Sequence, residues 1–98
     1  MTEHRARAHV RLGGHVQGVG FRYATADEAR HRQLQGWVRN LDSGGVEAVF
    51  EGDRSVVEDM LRWCQRGPSG AWVRDVQVDW DEPLENLSSF DIRRTASY

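Results

Sequence analysis

The sequence has no lysine: all 13 of its Lys/Arg positions are arginine. Lysine Schiff-base chemistry is therefore excluded, as is any Walker-type phosphate loop, which needs a Lys. An anionic partner would meet guanidinium groups instead, which can make two parallel hydrogen bonds to one phosphate. Cysteine is almost absent. Cys64 stands alone, so no internal disulfide can form, a four-cysteine zinc site is ruled out, and a reducing, cytoplasmic setting is expected. No apolar run is long enough for a membrane helix or a signal peptide, so no membrane partner is expected. Excess charge is lacking too. The formal net is -2, whereas a general polyanion binder carries a basic excess, so nucleic acid is not an expected partner. His4, His9, His15 and His31 show no metal-ligand spacing, and no metal site is expected.

The 98 residues fit one domain, 1–98, with room for one core. A monomer is the default at this size. Met1 to Arg7 reads as a short arm. Ala6, Ala8, Val10 and Leu12 alternate with Arg5, Arg7, His9 and Arg11, a half-buried strand that Gly13-Gly14 ends. Phe21 to about Gln33 favours helix. A strand from about Gln35 to Asn40, turn residues Leu41 to Gly45, and a strand from Val46 to Glu51 form a hairpin. Val56, Val57, Met60, Leu61 and Cys64 recur at helical spacing, with Ser55 and Glu58 as a capping box or Asp53 as the cap, and Gly67-Pro68 as the stop. Trp72 to Trp80 suggests a fourth strand, and Phe90 to Ile92 a last one. This order predicts an α+β sandwich of the split β-α-β kind, an antiparallel sheet with two helices on one face.

The stretch Gly14-His15-Val16-Gln17-Gly18-Val19-Gly20-Phe21-Arg22 leaves a strand and enters a helix. Its glycines allow successive backbone N–H groups to turn inward, and the first helical turn adds unpaired N–H groups and the positive end of the dipole. Together the amides of His15, Val16, Gln17, Gly18, Val19, Gly20 and Phe21 can cradle a phosphate. Arg22 sits unfavourably against that dipole end by about 0.3–1 kcal/mol, a balance that a bound oxyanion reverses. Glycine spacing alone reads more readily as a plain turn with a solvated arginine.

The same nine residues resemble the first signature of the acylphosphatase family. Gly36-Trp37-Val38-Arg39-Asn40, followed by Gly44, Val46 and Gly52, is similar to its second, and Gly67-Pro68 and Phe90-Asp91-Ile92-Arg93 resemble its tail. The resemblance covers about Ala8 to Arg93. It implies a ferredoxin-like α/β sandwich that hydrolyses acyl phosphates to a carboxylate and inorganic phosphate, without metal or cofactor. It implies that Arg22 and the loop amides bind the phosphate and that Asn40 positions the water. Asn is no base near neutral pH. Either a phosphate oxygen of the substrate takes the water's proton, or water attacks without full deprotonation. Gly45 stands where many members have a small hydroxyl residue, which predicts a looser turn. His15 occupies a variable position, where its ring could add charge near the loop at acid pH.

Other constellations read as structure. Cys64 lies on the apolar stripe of the second helix, and the arginine that a cysteine phosphatase needs six positions on is Gly70 here. Asp79-Trp80-Asp81 is followed by Glu82-Pro83, which breaks an aspartyl-phosphate motif. His9 alternates outward and is expected to be solvated. Most of Trp37, Trp63, Trp72 and Trp80 are expected in packing. The third strand, acidic on one face, lacks the aromatic and basic signature of RNA-recognition domains. A non-catalytic phosphate or small-anion binding module on the same fold is the alternative function. A third is the acylphosphatase-like domain of a carbamoyl-transferring maturation protein, against which the chain's end at Tyr98 is expected to count.

Overall fold

Alternation builds the first strand, and pairing on its far side extends it. The structure, a computed structural model, describes residues 4–97. Its elements are β1 (Arg5–His15), α1 (Phe21–His31), β2 (Gln35–Asn40), β3 (Val46–Asp53), α2 (Arg54–Arg66), β4 (Trp72–Asp79) and β5 (Phe90–Ile92). β1 does not stop at Gly13-Gly14. Its register with β4 slips there, and the strand runs on until His15 faces Trp72. Gly14 has φ +124°, and a Cβ on it would lie 2.2 Å from the Trp72 carbonyl oxygen, so glycine takes up a bulge that any side chain would block. The expected N-terminal arm is likewise strand from Arg5 onward, with Arg7 buried; Met1 to Glu3 lie outside the described residues.

The sheet order is β4-β1-β3-β2-β5. The expected antiparallel pairing joins β4, β1, β3 and β2, while β5 runs parallel to β2 and makes the sheet mixed. The cause is topological. β4 ends beside His9, near the start of β1, and the chain crosses the sheet before it returns alongside β2.

On one face Ala8, Val10, Leu12, Val38, Val46, Ala48 and Phe50 meet Phe21, Ala26 and Ala29 of α1 and Val57, Met60, Leu61 and Cys64 of α2 in a single core. Phe50 stacks on Phe90 with centroids 5.6 Å apart, which ties β5 to that core. Asp53 is the cap of α2: its side chain accepts from the Ser55 amide at 2.9 Å, while Glu58 pairs with Arg54. Burial pushes the Cys64 thiol up to about 12, consistent with a core thiol rather than a nucleophile.

The other face departs from simple alternation. Glu47 and Glu51 are fully buried: the chain between β4 and β5 passes over Glu51, and the His9, Arg11 and Arg39 side chains close around Glu47. Glu51 accepts from the Glu85 and Leu87 amides at 2.7 and 3.0 Å and from Arg7 at 3.0 Å. Burial alone would raise its carboxyl, but those two amides and the guanidinium outweigh it and hold the group below its ordinary value. Glu47 takes Arg39 at 2.7 Å and His9 at 2.6 Å. His9 is not solvated: its second ring nitrogen lies 2.6 Å from Glu82. That hydrogen bond is the main reason the Glu82 carboxyl also lies below its ordinary value. Trp37 is buried beneath the Arg39 and Arg93 guanidinium groups, and Trp63 meets Phe21 edge-on. Trp72, at 63% exposure, is the tryptophan that does not pack.

Candidate active site

β1 and α1 are joined by residues 16–20, and this connection forms one wall of a pocket of about 230 Å³. The lining is Val16, Gln17, Gly18, Gly20, Phe21, Arg22, Tyr23 and Asn40. Val16 and Phe21 are buried and anchor the loop to the core. Gly20 is the N-cap of α1 in the left-handed region, φ 75° and ψ 21°, a conformation that glycine enters without strain. No side chain caps this helix, and its first turn holds no acid. Its leading N–H groups and dipole end thus meet the pocket without a built-in anion. Arg22, in that first turn, is half-buried, and among the described residues no carboxylate pairs with it.

Asn40 reaches the same pocket from the opposite side, as the last residue of β2. Its backbone is held twice. It pairs with Val46 of β3, and on the other edge its carbonyl accepts from the Ala96 amide at 3.0 Å. The Asp42 amide donates to the Ala96 carbonyl at 2.9 Å, so the tail after β5 braces the strand end. Among the described residues no hydrogen bond occupies the Asn40 carboxamide, which can therefore donate and accept at once.

The two walls are tied by Gln17. Its Nε2 donates to the Leu41 carbonyl at 2.7 Å and to the Gly45 carbonyl at 2.8 Å. The Gly45 carbonyl also accepts from the Leu41 amide at 2.9 Å. The looser turn expected at Gly45 is not found. A Cβ there would lie 2.7 Å from the Leu12 carbonyl oxygen, so a close approach of two backbones fills the space. Behind the loop, a Cβ on Gly67 would lie 2.6 Å from the Phe21 ring, so the end of α2 rests directly on the residue that begins α1.

Of the residues singled out in the sequence, Arg22, Asn40, Val16, Gln17, Gly18, Gly20 and Phe21 line one pocket. His15 and Val19 do not. His15 ends β1 with its side chain exposed, and Val19 is partly buried against the core. Tyr23 lines the pocket and was missed; its one available signal is its position directly after Arg22 in the first helical turn. Among the described residues no three His, Cys, Asp or Glu side chains are grouped to hold a metal ion, and no helix is long and apolar enough to cross a membrane.

Comparison with known proteins gives a consistent set of relatives. A family model described as Acylphosphatase matches residues 8–92. A Nostoc sp. protein named Acylphosphatase is 59% identical over 88 residues, 90% of this chain and 86% of that protein. The solved structure of an acylphosphatase from Coxiella burnetii superposes with a TM-score of 0.87 at 37% identity, covering 91% of this chain and 93% of that one. Full-length HypF, solved in a phosphate- and nucleotide-bound form, superposes with a TM-score of 0.89 at 26% identity; 99% of this chain is covered but only 13% of HypF.

Proposed function

The chain belongs to the acylphosphatase family, and we propose that its substrate phosphate sits on the loop between β1 and α1, gripped by Arg22, while Asn40 holds the attacking water. The activity is that of an acylphosphatase, hydrolysis of the bond between carboxyl and phosphate. The observation that carries the residue assignment is the shared pocket: Arg22 and Asn40, 18 positions apart in sequence, line the same 230 Å³ space as the glycine loop.

In this reading the amides of the pocket-lining loop residues and the guanidinium neutralise the phosphate oxygens, so that approach of a neutral water no longer meets a dianion. The Asn40 carbonyl oxygen accepts from the water and fixes its lone pair toward phosphorus. The new P–O bond forms as the bond to the acyl oxygen breaks. The electron pair leaves with the carboxylate, a weak base that needs no acid, and the water's protons end on phosphate oxygen and solvent. Neither a metal nor a covalent enzyme intermediate is required. We read the chain as a cytoplasmic monomer that acts on a free small molecule rather than on nucleic acid or a membrane. The balanced charge and the single buried thiol support that reading.

The test is benzoyl phosphate hydrolysis in the presence of chelator. Arg22→Ala is expected to lose phosphate inhibition and nearly all turnover. Asn40→Ala is expected to lose ~10²-fold or more in kcat, the scale of one preorganised polar group, with phosphate affinity much less affected. Near-normal hydrolysis by both variants would refute the assignment.

A further inference from the structure

A phosphate held by Arg22 accounts for one half of an acyl phosphate and leaves the acyl half to the rim of the pocket. Most of the lining is unsuited to recognise it. Val16 and Phe21 are buried at 1% and 2% exposure, Gly18 and Gly20 have no side chain, and the Gln17 amide is committed to the β2–β3 turn. Tyr23 differs from all of these. It is 65% exposed, and its ring centroid lies 5.8 Å from the Arg22 guanidinium carbon. Among the described residues the other strongly exposed large hydrophobics are Trp72 and Val78, both on the edge strand β4 and neither lining this pocket.

Geometry then limits where the acyl group can go. In an acyl phosphate a single bridging oxygen separates phosphorus from the carboxyl carbon. A substrate whose phosphate oxygens bond to the Arg22 guanidinium must therefore carry its acyl substituent out past whatever flanks that guanidinium. The buried floor blocks the inward direction, and the flank that the structure offers is the Tyr23 ring. A phenol ring gives a flat apolar surface with little rotamer entropy to lose.

We propose that Tyr23 is the specificity-determining residue for the acyl side, a platform that favours acyl phosphates with a planar apolar acyl group over acetyl phosphate. This rests on Arg22 being the phosphate grip. The phenol hydroxyl has no part in it, so phenylalanine serves equally. The ring is exposed and Ala is a better helix former, so removing it does not threaten the fold.

The experiment measures kcat/KM for benzoyl phosphate and for acetyl phosphate, together with inhibition by inorganic phosphate, in wild type, Tyr23→Ala and Tyr23→Phe. The benzoyl-to-acetyl ratio is expected to fall about two- to tenfold in Tyr23→Ala, the range of one aromatic pair, chiefly through KM for benzoyl phosphate. In Tyr23→Phe the ratio should stay at the wild-type value. An unchanged ratio in Tyr23→Ala overturns the proposal. So does an equal loss on both substrates with weakened phosphate inhibition, because the ring would then serve only to flank Arg22. Failure of the premise has its own signature: Arg22→Ala would keep both activities, and the proposal would fall with the grip it depends on.

Discussion

If Gln17 matters to turnover because it sets the distance between the phosphate loop and Asn40, its effect must vanish once Asn40 is gone. The side chain makes two hydrogen bonds, at 2.7 and 2.8 Å, to carbonyls of the turn that follows Asn40. Removing them forfeits about 0.5–1.5 kcal/mol each and frees the turn to move against the loop. A displacement of about 1 Å at a reacting centre costs on the order of 10²-fold, so Gln17→Ala alone is expected to lower kcat by roughly 10- to 10²-fold. Gln17→Met, which keeps the length of the side chain but not its donor, should do the same. Inhibition by inorganic phosphate should change little, because the loop amides and Arg22 remain. The decisive measurement is the double-mutant cycle on benzoyl phosphate at saturating substrate. Independent effects would multiply to a loss of at least ~10³-fold, whereas action through Asn40 leaves the double variant within about threefold of Asn40→Ala. Multiplying losses would refute the reasoning, as would a Gln17→Ala enzyme whose loss lies in phosphate affinity. Thermal melts of each variant, with assays kept well below the transition, separate a displaced turn from an unfolded one.

Two further outcomes follow from the braces around the site. Deleting residues 95–98 removes the Ala96 amide from the Asn40 carbonyl and the Ala96 carbonyl from the Asp42 amide, and should lower kcat severalfold while phosphate inhibition holds; an equal loss of both would place the brace elsewhere. On the far face, Glu51→Gln removes one of three carboxylates from the buried Arg7 guanidinium, which keeps Glu82 and Glu85, and weakens the acceptor for the Glu85 and Leu87 amides; it should cost about 1.5–3 kcal/mol by urea unfolding near neutral pH. The Glu51 carboxyl lies below its ordinary value of 4.5 in the folded chain, so its stabilisation is complete above that pH and drains as pH falls through the depressed value. The variant's deficit should therefore shrink in acid, and a deficit that is constant with pH would count against the ion pair.

The sequence made some elements legible and hid others for identifiable reasons. The stripe of α2 declared itself because Val57, Met60, Leu61 and Cys64 face one core, and β2 kept its expected bounds because a hairpin is a local contact. The far face was hidden. Arg7 and Glu82 are 75 positions apart, and the Glu85 amide reaches Glu51 across 34, so alternation on β1 and β3 could not tell a solvated charge from one covered by a segment without periodicity. Gly13-Gly14 has turn chemistry locally, but the bulge exists only because β4 pairs there. The pocket was legible in Arg22 and Asn40 because family signatures mark them. Tyr23 was not, because an aromatic in the first turn of a helix is ordinarily a surface or packing residue. Gly45 was misjudged for the opposite reason: a glycine in a turn suggests freedom, and here it permits contact with Leu12.

The two helices begin differently, and the difference carries a last consequence. Both follow a strand, yet α2 is capped by the Asp53 carboxylate, which the Ser55 amide and hydroxyl hold below its ordinary value, while α1 begins on Gly20 with neither a side-chain cap nor an acid in its first turn. A glycine in place of a carboxylate or hydroxyl cap forfeits a few tenths of a kcal/mol, and Arg22 beside the dipole adds about 0.3–1 kcal/mol to that deficit. Both deficits have the sign that a dianion corrects. Inorganic phosphate should therefore stabilise the folded protein through the same groups that grip substrate, by about 2.7 kcal/mol at a hundred times its Kd. The shift in Tm with phosphate concentration should persist in Asn40→Ala, which keeps the grip and loses the water, and should disappear in Arg22→Ala. A shift that survives in Arg22→Ala, or that sodium chloride reproduces at equal ionic strength, would mean that α1 is stabilised by screening alone and that the open cap is no seat for phosphate.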